Sequence, residues 1–341
     1  EGMFASSIRS TVAGQRVLST SGSRHGLENL LIYNNTFTST VGSLVRLLDC
    51  VQFSAHRVYF QGGNRCVSIE GTACADNTFT ECIFTFATGD AMLFFQRNGA
   101  GTNGAHHFYR CLLNQGYPVQ TPTSSNYKGA WAATTAYSVG DVVSVGNYNI
   151  QCRVAGTSGG SAPSAPSWYG VDIEDGAVLR WRLVGQAAYR GALLDGQVFY
   201  TWFDQCDFTG PYTNAVDFAD TVATSTFPFT CWVTNCTFHG PVTNGVSTSS
   251  GARDLLIQGC DFLPLNDVSQ VAISFSTGQA NQAIGNRGYD YATGILQGGA
   301  RGAIIGNLMT GGTIGIDLTG ASATTRVIGN EVGSRTVGGA N

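Results

Sequence analysis

Lysine is almost missing from this 341-residue chain: one residue, Lys128, stands against seventeen arginines. Charged residues make up only 12% of the sequence, no run of basic residues occurs, and the net charge is −4 with a pI near 5.7. Nucleic-acid binding, which relies on a concentrated basic surface, is thereby excluded as an expectation. No stretch of eighteen apolar residues is present, so no helical membrane span is expected. Cys-x-x-Cys pairs, His-rich clusters and clusters of acidic residues spaced two apart are also absent. The usual zinc and calcium patterns are therefore missing, and neither a metal nor another cofactor is expected. Serine-nucleophile, Rossmann and P-loop patterns find no support either. The opening Glu1-Gly-Met-Phe-Ala is neither an initiator methionine nor a signal peptide, which predicts a fragment of a longer chain lacking an N-terminal segment.

Glycine and apolar residues are what the chain has in quantity. Forty-five glycines and 43% apolar residues imply many turns and much buried strand, an all-β composition. A short phrase recurs: an apolar residue, two variable residues, Cys or Asn, one variable residue, an apolar residue. It reads Phe79-Cys82-Phe84, Phe108-Cys111-Leu113, Phe203-Cys206-Phe208, Val233-Cys236-Phe238, Ile257-Cys260-Phe262, Ile304-Asn307-Met309 and Val327-Asn330-Val332, and Asn286 falls in the same series. Most intervals are 21 to 30 residues, the period of one solenoid coil. A second family, Val67-Ser68-Ile69, Ala215-Val216-Asp217-Phe218, Gly245-Val246-Ser247, Ala272-Ile273-Ser274-Phe275 and Gly315-Ile316-Asp317-Leu318, alternates with period two and precedes the phrase. Two such strands and a third short one make a coil of a parallel β-helix. In the first coils Ile32-Asn35-Phe37 matches the phrase, whereas Asp49-Cys50-Val51-Gln52-Phe53 places its aromatic one residue late, which predicts a bulge.

Ten cysteines in a small secreted domain would suggest disulfides, but five of these occupy the repeat position. Equivalent side chains of stacked coils point the same way, about 4.7 to 4.9 Å apart, and parallel thiols do not converge as a disulfide requires. Cys82, Cys111, Cys206, Cys236 and Cys260 therefore read as a buried ladder. Asn286, Asn307 and Asn330 continue it, with amides bonding from coil to coil.

Cys111 to Cys206 spans 95 residues where one coil needs under thirty, so the excess is an inserted domain. Its boundaries follow from a Pro/Ser/Thr linker at Pro118 through Ser125 and from the return at Gly185-Gln186-Ala187-Ala188. The division is 1–125 and 187–341 as β-helix and 126–186 as a small β domain. The insertion contains Trp131-x5-Tyr137-x2-Gly140-Asp141-x-Val143, Tyr148-x3-Cys152, Gly156-Thr157-Ser158-Gly159, Trp168 and Asp175-Gly176-x4-Trp181-x2-Val184-Gly185. Over about sixty residues this resembles the small carbohydrate-binding modules of the chitin-binding type, as found within phage tail proteins. The resemblance implies a short twisted sheet with Trp131, Tyr137 and Trp181 packed inward, and Trp168 and Tyr169 as sugar-stacking candidates. The tandem tryptophans of many members are replaced by Cys152-Arg153-Val154, so a purely structural module is an equal reading.

The whole pattern, a Gly-rich right-handed parallel β-helix (solenoid) carrying such an insertion, resembles the bacteriophage tailspikes and tail fibres of the pectate-lyase-like superfamily. That resemblance implies a homotrimer in the virion tail that joins other phage tail proteins and acts on polysaccharide, capsule or lipopolysaccharide, at the bacterial cell surface.

Cleavage of glycosidic bonds by hydrolysis needs two carboxyl groups, one to protonate the leaving oxygen and one to activate water or attack carbon. Asp207 and Asp261 each follow a ladder cysteine, two coils apart with Thr237 between. That is about 9.5 Å by strand spacing, at the wide end of the inverting range of roughly 6.5 to 9.5 Å. Asp204 is a third member or an orienting partner. Asp217 and Asp220 are a second outward pair, ahead of Glu81, Asp90 and Asp195. Trp202, Tyr200, Tyr212 and Trp232 surround these coils as stacking surfaces. Of the adjacent His106 and His107, alternation presents at most one to a groove, the other serving in turn packing or partial burial. With Arg110 the presented one supports a lyase as the lesser alternative. Three functions remain open: a tailspike depolymerase, a non-catalytic host-glycan-binding fibre or shaft, and a cellular polysaccharide lyase or hydrolase of the same fold.

Overall fold

A computed structural model describes residues 6–10, 16–34, 43–85, 87, 90–114, 127–145, 148–163, 172–186, 190–210, 212–219, 228–240, 243–248, 251–263, 271–275, 278–319, 321 and 324–334. All regular structure among them is β, and no helix is long and apolar enough to cross a membrane. The chain winds as a parallel solenoid whose strands fall into three long sheets of 11, 11 and 10 strands. Sheet B contains Arg190–Asp195, sheet C contains Trp202–Asp204 and sheet A contains Asp207–Thr209. Each coil runs through them in the order B, C, A. Fold class and period are those the repeat phrase implies.

One residue per coil makes each of two corners. Between sheets C and A the chain turns on Asn29, Arg57, Glu81, Arg110, Gln205, Asn235, Gly259, Gly285, Gly306 and Gly329, all with φ between 49° and 64°. Between B and C the corresponding residues are Arg24, Gln52, Asp76, Ala105, Tyr200, Thr230, Asp254, Ala280 and Arg301. A left-handed residue reverses the local curvature without adding length, at roughly 1–2 kcal/mol for a residue bearing a Cβ. Glycine removes that cost at the C-to-A corner of the last four coils, and earlier coils offset it there with side-chain pairs along the corner, Arg57 with Glu81 and Arg110 with Gln205.

The residue after the C-to-A corner points inward, and there the predicted ladder is found. All ten cysteines are buried free thiols. The Sγ atoms of Cys82, Cys111, Cys206, Cys236 and Cys260 each donate to a carbonyl of the preceding coil, for example Cys206 to Phe108 at 3.4 Å. Asn286, Asn307 and Asn330 make the same bond through Nδ2, to Ile257, Ala283 and Ile304, at 2.9 Å. Each Asn Oδ1 also accepts the backbone N–H of the ladder residue before it, at 2.9–3.0 Å. Thiol and amide thus fill one role, the amide with one more hydrogen bond. Flanking the ladder, parallel phenylalanine rings stack from coil to coil: Phe79 on Phe108 at 4.6 Å and Phe238 on Phe262 at 4.6 Å.

Ile32-Asn35-Phe37 is not in the ladder register. Ile32 pairs with Phe60, which pairs with Phe84, so Ile32 holds the last position of the phrase. Asn35 and Phe37 lie outside the described residues. The first two coils read instead Leu27-x2-Leu30-x-Ile32 and Ala55-x2-Val58-x-Phe60. Apolar residues occupy the ladder there because the position asks only for burial. Asp49-Cys50-Val51-Gln52-Phe53 is not in the ladder register either: Cys50 lies on the sheet B strand Ser43–Val51 and Phe53 follows the B-to-C corner at Gln52, although a bulge is present, the register with the next coil shifting between Leu48 and Val51 with Asp49 at φ 50°. Its carboxylate accepts the N–H groups of Thr72 and Ala73, which hold it below the usual Asp range.

Leu112 pairs with Asp207 and Phe108 with Phe203, so coils 95 residues apart at the ladder position are spatial neighbours. The strands between them from Tyr127–Ala130 to Leu179–Gln186 form a five-stranded and a two-stranded sheet of their own around Tyr137, Val143, Ile150, Cys152, Leu179 and Trp181. Buried Asp175 accepts the indole N–H groups of Trp131 at 2.8 Å and Trp181 at 2.7 Å.

A second inward column follows the B-to-C corner, and it holds Asn77, His106 and Asn281 fully buried. Nε2 of His106 lies 2.6 Å from Asn103 Oδ1 and its Nδ1 lies 3.3 Å from Asn77 Nδ2. The ring therefore donates to Asn103 and accepts from Asn77, which is the neutral tautomer. Burial pushes its pKa down to about 3. The unfolded chain binds a proton near pH 6.5 that the native state refuses. Native stability is therefore full above that pH and falls by roughly 1.4 kcal/mol per pH unit below it. Chemical denaturation between pH 6.5 and about 4.5, above the carboxylate range, should show this slope, and His106→Gln should flatten it.

Candidate functional site

Outward residues of sheet C alternate with the buried column Phe108, Phe203, Val233 and Ile257. The register puts His107, Trp202, Trp232 and Leu256 in one outward row, and Tyr109, Asp204, Thr234 and Gln258 in the next. Parallel stacking makes rings from successive coils neighbours. The centroids of Trp202 and Trp232 are 4.5 Å apart, those of His107 and Trp202 5.7 Å, and Tyr200 lies nearly parallel to Trp232 at 6.0 Å. Tyr200 and Trp202 are 48% and 43% exposed, large for aromatic side chains on a folded surface.

Beside this row lies a cleft of about 530 Å³, lined by His107, Trp202, Asp204, Trp232, Thr234, Asn235, Leu256 and Gln258. Asp204 is half-buried. Its Oδ1 accepts from Thr234 Oγ1 at 2.8 Å and Asn235 Nδ2 at 3.1 Å. One oxygen is thus fixed by the next coil while Oδ2 has no partner among the described residues. Aromatic faces with a row of polar groups beside them suit a saccharide, whose C–H faces stack while its hydroxyls bond at the rim.

Asp207 and Asp261 stand on sheet A, in the outward column Asp207, Thr237, Asp261, Arg287. Thr209 donates to Asp207 at 2.7 Å, and His239 stands beside Thr209 in the next row. The two aspartates are in register across one intervening coil, as their spacing implies. Asp204 is not gathered with them: Gln205 turns the chain between, and outward side chains on either side of that corner diverge. Asp204 lines the cleft, and Asp207 and Asp261 do not.

Other sequence candidates fall elsewhere. Tyr212 is a correction: it is fully buried, and its hydroxyl donates to the Leu113 carbonyl at 2.7 Å, so it fills the core and offers no stacking face. Tyrosine was read as a surface aromatic, but its polar tip has found a partner inside. Asp217 is 6% exposed, with Oδ2 paired to Arg190 and Oδ1 accepting from Ser247 at 2.6 Å. Asp195 is buried; Glu81 pairs with Arg57, and Asp90 with Arg65, whose guanidinium holds its carboxyl below the usual range against the opposing effect of burial. Asp220, Trp168 and Tyr169 lie outside the described residues. Of the two adjacent histidines only His107 lines the cleft, and His106, which precedes the strand and follows the corner at Ala105, is fully rather than partly buried. Thr234, Asn235, Leu256 and Gln258 were missed. They carry no local motif, and only alignment of successive coils on the ladder would have placed them beside Trp202.

No family model and no curated protein matches the chain. Among solved structures it is similar to tailspike protein 3 of bacteriophage CBA120, with a TM-score of 0.46 and 11% identity over 99% of this chain and 51% of that one. It is also similar to the A-module of the Azotobacter vinelandii mannuronan C-5 epimerase AlgE4, with a TM-score of 0.39, 11% identity and 94% and 88% of the two chains covered. A third is the tailspike protein of Acinetobacter baumannii phage AM24, with a TM-score of 0.28, 9% identity and 93% and 48% covered. The chain spans about half the length of the two tailspikes.

Proposed function

We propose that this protein is a tailspike that recognises bacterial surface polysaccharide along the flank of its solenoid and depolymerises it. The observation that carries the reading is the outward row His107, Trp202 and Trp232, with Tyr200 behind it and Asp204 beside the row in one cleft. Stacked coils repeat that surface at strand spacing, which suits a polymer better than a small molecule. For cleavage the proposal assigns the in-register pair Asp207 and Asp261, one as general acid and one activating water, about 9.5 Å apart by strand spacing, which corresponds to an inverting hydrolase. The same proposal has the chain act as a homotrimer in the virion tail, joined to other tail proteins, with the inserted module as a spacer or an accessory glycan binder.

A second reading, a fibre that binds glycan without cleaving it, is favoured by the corner at Gln205 that separates Asp204 in the cleft from Asp207 and Asp261. Incubation with capsule and lipopolysaccharide from susceptible bacteria tests both. New reducing ends support the hydrolase, unsaturated uronate absorbance a lyase, and retention without release the binding fibre. Trp202→Ala and Trp232→Ala should each weaken retention on the order of tenfold, from the about 0.5–1.5 kcal/mol of an aromatic stacking contact beyond its area. Undiminished retention in both variants would place the binding surface elsewhere.

A further inference from the structure

We infer that the sheet C cleft selects its glycan by charge, accepting neutral or ammonium-bearing sugar residues and rejecting anionic ones; the inference rests on the reading of this cleft as the glycan site. Two features of the same sign carry it. The first is Asp204, the sole carboxylate among the residues that line the cleft. Thr234 and Asn235 both donate to its Oδ1, which fixes the group and leaves Oδ2 without a partner among the described residues. The second is the pair of indoles. Their faces carry negative quadrupole density that attracts an ammonium and repels a carboxylate or phosphate.

No Arg or Lys lines the cleft among the described residues, and His107 is the one other ionisable side chain in its lining. Uronate and phosphate groups are ordinarily held by Arg or Lys, the former by two parallel hydrogen bonds. Here Arg110, at the corner of the preceding coil, is turned to Gln205 at 3.2 Å and lies over Tyr109, and Arg253 lies against Phe229. A polyuronate laid along the row would meet indole faces and a fixed carboxylate with no guanidinium or ammonium to neutralise it. A hexosamine would place its ammonium between Oδ2 and an indole face, and an acetamido or neutral sugar would use the same stacking surface without penalty.

The test uses the full chain and three β-1,4-linked hexasaccharides with the same diequatorial backbone: chitosan hexamer, N-acetylchitohexaose and the β-1,4-glucuronate hexamer. Affinities are measured by calorimetry at low and high ionic strength, for the wild type and for Asp204→Asn, which keeps an acceptor for Thr234 and Asn235 but removes the charge. We expect the glucuronate hexamer to bind at least tenfold more weakly than N-acetylchitohexaose at low salt, with chitosan hexamer the tightest. Asp204→Asn should narrow the gap between the cationic and anionic hexamers by about tenfold, with a melting temperature close to wild type. A glucuronate hexamer binding as tightly as the neutral hexamer, or an Asp204→Asn variant with the full gap, would overturn charge selection while leaving a glycan site in place. Failure of all three to bind would overturn the glycan reading itself.

Discussion

Asp207→Asn or Asp261→Asn is expected to lower the proposed polysaccharide cleavage by about 10²–10⁴-fold, the range a positioned acid or base contributes. The two substitutions are isosteric and the residues are half-exposed on the outer face of sheet A, so the melting temperature should change little. Loss of cleavage with retained binding would separate chemistry on sheet A from recognition on sheet C. The Thr237 strand between them supplies a control, since Thr237→Val removes a hydroxyl in the same column without touching either carboxyl. Full activity in both aspartate variants would remove this pair from the chemistry and leave Asp204 as the one acidic group in the cleft.

Truncation of Phe108 to alanine should be the most costly single change to stability, about 3–5 kcal/mol. Its ring is fully buried, stacks on Phe79 at 4.6 Å and Phe203 at 5.1 Å, and meets Phe95 edge-on at 5.6 Å. It therefore joins the coils on either side of the 95-residue excursion, where chain connectivity contributes least to holding adjacent coils together. Equilibrium denaturation measures the loss. Because each coil contacts only its neighbours, hydrogen exchange should accelerate first in His107–Tyr109 and Trp202–Asp204. A uniform acceleration over all coils would show that the solenoid unfolds as one block and that the junction is not its weak point.

Legibility differed among particular residues for physical reasons. Cys82, Cys111, Cys206, Cys236, Cys260 and the three asparagines were readable because a ladder position repeats the same residue type at the period of the coil. Leu30 and Val58 hold the same position and were missed, since an apolar residue there looks like any other strand residue. Asp207 and Asp261 were placed in register by counting from the ladder. Tyr212 was misplaced because sequence does not say on which side of the A-to-B turn an aromatic ring falls, and here its hydroxyl reaches the Leu113 carbonyl inside the core.

The chain alone determined the β class, the coil period, the inward column and the site of the excursion, all consequences of short-range spacing and of the need to bury apolar and amide groups. Only the folded molecule decided which outward residues meet. His107 and Trp202 are 95 positions apart, and Trp202 and Trp232 thirty, yet the three rings form one row. Asp204 and Asp207 are three apart and face different sheets. The reason is geometric: inter-coil contacts depend on register across variable loops and on a single left-handed residue at each corner, and neither leaves a local pattern in the outward side chains.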